Sequence, residues 1–282
     1  MLKTIGSQKG CVRVEAMSKL VLIPLPDYGF DPTEAAVPWR AVARAGHRVI
    51  FATPEGEQAN ADTRMVTGRD LPVLLRKTLM ARPGDVGAYR EMEASDAFRN
   101  PLAYEKVEPG EFDGLLLPGG HDKGMRPYLE SGVLHEKVAH FFDHRKPVGA
   151  ICHGTLLAAR SISQEDPVCK GRSVLWGRHT TGLTRNQEMI SFWLTRMKLG
   201  DYYRTYDMPM MDDLISHLRA PTDYTPGPGR PIPMGRDSEK DLSAGFTIRD
   251  GNYLSARWPG DAHAFAHAFV QMLEEPPREQ AT

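Results

Sequence analysis

The chain has little cysteine, no long apolar run and almost no net charge. Its 282 residues include three cysteines, Cys11, Cys152 and Cys169. That odd, sparse set cannot build a disulfide framework and points to a reducing, cytoplasmic compartment. No stretch approaches the roughly 20 apolar residues of a membrane-spanning helix, and the first 16 residues lack the apolar block of an export signal. They also lack a hydrophobic period, so residues 1–18 are expected to form a tail, with Met17 available as an initiator. A formal charge of -1 supplies no global field to attract nucleic acid or anionic lipid. Repeats are absent, as is the glycine-rich phosphate cradle of a nucleotide site.

What is present is an alternation of apolar strand-like runs with amphipathic stretches, the pattern of a mostly parallel sheet covered by helices on both faces. Strands are expected at 19–25, 48–53, 112–117, 146–151 and 172–176. Helices are expected at 32–46, 132–144, 153–160, 188–199, 212–218 and 261–274. A hairpin is expected from 246–249 and 253–257 across Asp250-Gly251-Asn252. Residues 56–110 are too long for an ordinary connection and read as an insertion with helical patches at 71–80 and 86–98. Five prolines between 220 and 236 mark an irregular excursion within a second insertion, about 200–240. The whole reads as one domain over 19–275, followed by a short tail, 276–282.

Cys152 is the chemically informative residue. Lys146-Pro147-Val148-Gly149-Ala150-Ile151 is a buried-strand run and His153-Gly154-Thr155-Leu156-Leu157 opens a helix, so the cysteine occupies the turn between them. A sharp strand-to-helix turn needs small neighbours and sets the sulfur against the positive end of a helix dipole, which favours thiolate and hence nucleophilic catalysis. The other reading is a small buried hydrophobe. His263 and His267 stand four apart, a metal-ligand spacing, but Ala264-Phe265-Ala266 between them lacks the glutamate of a zinc-protease motif. No metal site is expected. The aromatics of Asp201-Tyr202-Tyr203-Arg204-Thr205-Tyr206 suit a pocket, an interface or a core edge.

Four segments in order resemble the ThiJ/PfpI superfamily, whose fold is shared with class I glutamine amidotransferases. They are Glu34-Ala35-Ala36-Val37-Pro38, Leu117-Pro118-Gly119-Gly120-His121, Ala150-Ile151-Cys152-His153-Gly154, and Asp250-Gly251-Asn252-Tyr253-Leu254-Ser255-Ala256-Arg257 with Pro259-Gly260. The Pro-Gly-Gly-His and Cys-His-Gly forms are similar to the branch of heat-shock holdases and glutathione-independent glyoxalases (glyoxalase III).

The resemblance implies an α/β fold, a flavodoxin-like three-layer sandwich with a mostly parallel central sheet, a nucleophile elbow and a helical insertion. It implies that Cys152 is the nucleophile, Glu34 a protonated acid beside the sulfur and His153 a proton shuttle. The Gly119 and Gly120 amides would form the oxyanion hole. No cofactor is implied, the substrate would be a small carbonyl compound, and members of the family are usually homodimers. The branch also carries an acid about thirty positions beyond the cysteine, whereas this chain reads Gly177-Arg178-His179-Thr180-Thr181-Gly182. His179 or Glu188 would have to replace it, and His121 and His179 are pocket candidates. No His-x-Glu follows Cys152, which disfavours glutamine hydrolysis. The expected activity is glyoxalase III- or deglycase-like conversion of a 2-oxoaldehyde to a 2-hydroxy acid. The alternatives are a stress holdase and a redox sensor in which the thiol is oxidised without turnover.

Overall fold

The structure, a computed structural model, describes residues 18–229 and 235–276. Cys11 and the expected tails, apart from residues 18 and 276, lie outside the described residues. The first half of the chain forms β1 (Leu20–Pro24), β2 (Tyr28–Phe30), α1 (Pro32–Arg44), β3 (Arg48–Thr53), β4 (Asn60–Ala61), α2 (Thr63–Thr67), α3 (Arg76–Leu79), α4 (Pro83–Glu93), α5 (Asp96–Arg99), β5 (Leu102–Ala103) and β6 (Gly114–Leu117). There follow α6 (Arg126–Glu130), α7 (Gly132–Asp143), β7 (Val148–Ile151), α8 (Gly154–Arg160), α9 (Arg185–Leu199), α10 (Met210–Ser216), β8 (Thr247–Asp250), β9 (Tyr253–Ala256) and α11 (Ala262–Glu274).

Seven strands make the central sheet in the order β5-β3-β1-β6-β7-β9-β8. Its pairs are parallel except the β8–β9 hairpin at one edge. This is the flavodoxin-like α/β arrangement the sequence led us to expect. The central strands β6 and β7 are buried at every residue, as strands covered on both faces must be. Helices α1 and α11 pack on each other and on β3, β7 and β9, while α7 and α8 pack against β6 or β7. Gly149 in β7 lets α11 close on the sheet, because a Cβ there would lie 2.8 Å from the Phe265 ring and 2.9 Å from that of Phe269.

Three local expectations change. Residues 172–176 are not a strand: Ser173 makes an isolated bridge to Ile162, and turns follow. The Leu175 amide bonds the Ser173 hydroxyl at 3.1 Å, and Gly171 and Gly177 both take positive φ, so local bonding defeats extension. The patch at 71–80 is helical only in α3, since Asp70 at φ 61° and Pro72 interrupt it. The patch at 86–98 divides into α4 and α5 because Ser95 turns its hydroxyl back to Met92 and accepts the Phe98 amide as a new N-cap. The β2–β4 pair was not foreseen, being too short to carry a period.

Candidate active site

β7 ends at Ile151, α8 begins at Gly154, and Cys152 turns the corner at φ 55°, a left-handed value that disfavours any residue with a Cβ. Hydrogen bonds hold the strained residue: its amide donates to Ala256 O at 3.1 Å, and its carbonyl accepts the Thr155 amide and hydroxyl at 3.1 and 2.7 Å. Glycine is obligatory around it. A Cβ on Gly154 would sit 2.0 Å from Leu117 O, and one on Gly119 would meet the His153 amide nitrogen at 2.6 Å and Cys152 Cβ at 2.9 Å. The Leu117-Pro118-Gly119-Gly120 turn therefore lies directly against the elbow.

Glu34 reaches the same point from the first turn of α1, where the Asp31 carboxylate caps the Thr33 and Glu34 amides at 2.8 and 3.2 Å. Glu34 is buried, its Oε2 accepts the Gly119 amide at 2.9 Å, and its carboxyl lies within side-chain hydrogen-bonding reach of Cys152. Burial, and then the neighbouring Asp31, push this carboxyl well above the ordinary range, which favours its protonated form. The Gly119 amide is accordingly held by Glu34, which corrects its assignment to an oxyanion hole. Gly120 is pressed against Gly29 O and the Phe30 backbone. The His153 amide, next in chain to the nucleophile, bonds the sulfur instead.

His153 Nδ1 lies 3.5 Å from Cys152 Sγ. Its ring is buried, packs edge-on against His121 with centroids 5.3 Å apart, and has no partner at Nε2. Burial, with His121 second, drives its pKa well below the usual histidine value, and burial takes His121 down to about 4. The thiol also departs from expectation. Cys152 is fully buried, and loss of hydration followed by the proximity of Glu34 raises it well above the ordinary thiol range. A helix N-terminus does not offset that desolvation, so the resting group is a thiol.

No acid completes a Cys-His-acid triad among the described residues. His179 is exposed, and its amide donates to Asp250 at 2.8 Å. Asp250 pairs with Tyr253, which lies beside Val148 at the start of β7, whereas the elbow follows Ile151 at the end, so His179 is no pocket residue. Glu188 turns away to accept the Met210 amide at 2.9 Å. Asp213 influences His153 only from a distance, being paired with Arg160 at 2.8 Å. Thr181 fills the expected position, with its amide on Ser255 Oγ and its buried side chain within hydrogen-bonding reach of Tyr224. Two buried groups beside the elbow were missed from sequence. Tyr224, whose hydroxyl donates to Gly182 O, lies within electrostatic reach of the sulfur. Asp31 could have been found as the N-cap before Pro32-Thr33-Glu34.

The weaker motifs resolve structurally. His263 engages Asp85 at 3.1 Å while His267 is exposed, and no metal-holding cluster of histidine, cysteine or acid occurs among the described residues. In the aromatic segment Tyr202 bonds Asp62, Tyr203 packs on His121 with centroids 5.0 Å apart, and Tyr206 bonds Arg160. No described helix is long and apolar enough to cross a membrane.

A parallel α/β sheet with a strained cysteine at the strand-to-helix turn, an acid from α1 and a glycine turn opposite defines a nucleophile-elbow protein. The ThiJ/PfpI family-like model matches residues 25–228, and the chain belongs to that family. A deglycase of Pyrococcus abyssi is 28% identical over 173 residues, covering 61% of this chain and 69% of that protein. Protein/nucleic acid deglycase 2 of Escherichia coli is 31% identical over 142 residues, 50% of this chain and 63% of the relative. Among solved structures, glyoxalase III from Candida albicans superposes with a TM-score of 0.65 at 18% identity over 91% of this chain and 98% of its own, a likeness of fold.

Proposed function

We propose that this chain is a cofactor-independent cysteine enzyme that converts a 2-oxoaldehyde to a 2-hydroxy acid, in the manner of glyoxalase III and the deglycases. The observation that carries the reading is Cys152 at φ 55° with His153 Nδ1 3.5 Å from its sulfur. A turn that strained, wrapped by obligatory glycines, is what holding a nucleophile at a strand-to-helix corner requires and what packing alone does not. The Cys152 sulfur adds to the aldehyde carbon and the thiol proton ends on the new hydroxyl, giving a hemithioacetal. The C1 proton moves to C2 through an enediol, with the neutral His153 as base, and leaves a 2-hydroxyacyl thioester. Water then cleaves the carbon–sulfur bond, the acid departs and the thiol is restored, so the sum is substrate plus water with no external oxidant or reductant. Protonated Glu34 supplies a hydrogen-bond donor beside the sulfur.

One observation favours the holdase as a second reading. Ile190, Trp193, Leu194 and Met197 form an exposed stripe at helical spacing on α9. The decisive experiment measures lactate release from methylglyoxal without glutathione, beside suppression of client aggregation. The enzyme reading expects turnover that Cys152→Ala abolishes with the fold intact. Wild type that releases no hydroxy acid from any 2-oxoaldehyde, yet prevents aggregation equally with or without the thiol, overturns it.

A further inference from the structure

A cavity of about 40 Å³ lies beside the elbow, walled by Asp31, His121, Ser191, Tyr203, Arg236 and Trp258 together with apolar side chains. It is contiguous with the catalytic residues on two sides: His121 packs on His153, and Asp31 caps the helix that carries Glu34. Its volume is roughly three times what a single water needs, enough for a compact polar end group of a few atoms.

The walls present nitrogens that no described residue satisfies. Arg236 Nε, Trp258 Nε1 and His121 Nδ1 are all buried without a hydrogen-bond partner. Trp258 lines the cavity and is 6% exposed, so its indole N–H is a buried donor that needs an acceptor. Arg236 spends its other nitrogens on neutral carbonyls, Nη2 on Thr78 O at 3.2 Å and Nη1 on Met80 O at 3.5 Å. Its guanidinium lies over the Trp258 ring at 5.2 Å. Among the described residues no carboxylate comes within ion-pair distance of it. Asp31, the acid on the same wall, has its Oδ1 occupied by two amides of α1. Asp85, farther along the guanidinium, is engaged by His263. Asp31 and Asp85 act on this cation from a distance, and its hydrogen-bond partners are all neutral carbonyls.

The arrangement is built into the fold. Gly260 follows Trp258 and Pro259 in the turn after β9, and a Cβ there would lie 2.4 Å from Trp258 Cζ2 and 3.0 Å from Arg236 Cγ. Glycine at this position lets the indole and the guanidinium come together. Arg257 braces the turn through two hydrogen bonds to Asp261, Nε and Nη2 each donating to a carboxylate oxygen at 2.9 Å.

We infer that Arg236 and Trp258 form a carboxylate subsite, and that the natural substrate of Cys152 is a small aldehyde bearing a carboxylate at its far end. Arg236 Nε–H and Trp258 Nε1–H donate to the carboxylate oxygens, and the aldehyde end is directed past His121 toward His153 and the sulfur. The inference rests on the carbonyl-enzyme reading for its reacting end, while the subsite is a binding claim that can be tested apart from it.

The test compares kcat/KM for 4,5-dioxopentanoate, a 2-oxoaldehyde with a terminal carboxylate, with that for methylglyoxal, in wild type, Trp258→Phe and Arg236→Lys. Wild type should prefer the carboxylate substrate, and each variant should lower that preference by about ten- to a hundredfold, chiefly through KM. A wild type without preference, or variants that slow both substrates equally, would overturn the subsite. A binding measurement separates the two claims. The indole N–H resonance that vanishes in Trp258→Phe should move when glutarate is added to the wild-type protein, and should not move in Arg236→Lys. If neither aldehyde is turned over but glutarate moves that resonance, the subsite stands and the proposed reaction falls. If glutarate leaves it unmoved, the subsite falls, whatever the turnover.

Discussion

Replacing Glu188 by Gln should make the protein's stability less sensitive to pH. Glu188 is 1% exposed, and burial raises its carboxyl from 4.5 to about 7, although the Met210 amide and Arg204 pull the other way. The folded protein therefore holds this proton where the unfolded chain has released it. With a folded pKa above the unfolded one, stability is greatest below pH 4.5 and falls as pH rises towards 7. A shift of this size corresponds to about 3 kcal/mol, at 1.36 kcal/mol for each pH unit. Glutamine keeps an oxygen for the Met210 amide but has no proton to lose. The assay is thermal or urea unfolding of both proteins at pH 5 and pH 8. Asp31 and Asp237, both raised to about 6, titrate alike in both proteins and cancel in the difference. Relative to wild type, Glu188→Gln should gain about 2.5 kcal/mol between the two pH values, or roughly 5–10 °C in Tm. A difference that does not change with pH, or that moves in favour of wild type as pH rises, would refute the reasoning.

The remaining predictions concern the elbow and its support. Native Cys152 should resist alkylation at pH 6–7 and react faster as pH climbs past 9, because its thiol is buried and raised; rapid labelling at pH 6 would contradict this. Gly119→Ala should cost about 1–3 kcal/mol in urea unfolding and remove turnover, since the new methyl meets the His153 amide nitrogen, Glu34 Oε2 and Cys152 Cβ; an active variant of unchanged midpoint would show that the turn yields freely. Arg257→Leu leaves the fully buried Asp261 without its cation and should lower stability by about 3–5 kcal/mol in the same assay, with a loss below about 1 kcal/mol refuting the pair's structural role.

Legibility in the sequence followed the range over which each feature is determined. β1, β6 and β7 declare themselves because a strand covered on both faces must be apolar at nearly every position, and the hairpin declares itself through Asp250-Gly251-Asn252. The elbow was visible for the same local reason: Cys152 lies between a buried run and a helix start, with Gly149 and Gly154 close by. Residues 172–176 misled because Val174 and Leu175 are buried as a strand's would be, while the glycines at 171 and 177 and the Ser173 hydroxyl settle the backbone. The cavity could not be read at all. It joins residues 31, 121, 203, 236 and 258, and none of the intervening spacings carries information about that meeting. Nor does a motif reveal who uses an amide: Gly119 is where the pattern places it, yet its N–H is already taken by Glu34.

That last point reshapes the chemistry the motif suggests. Dipole and acid together seemed to promise a preformed thiolate, but burial drives Cys152, Glu34 and His153 alike toward their uncharged forms. With the thiol raised well above its ordinary value and the imidazole well below its own, both through burial, moving a proton from Sγ to Nδ1 across 3.5 Å is uphill before their mutual attraction is counted. Paying that cost only as the carbon–sulfur bond forms keeps the thiol inert between turnovers. Deprotonation is therefore part of the attack and does not precede it, and a substrate anchored with its aldehyde at the sulfur is what makes the two events coincide.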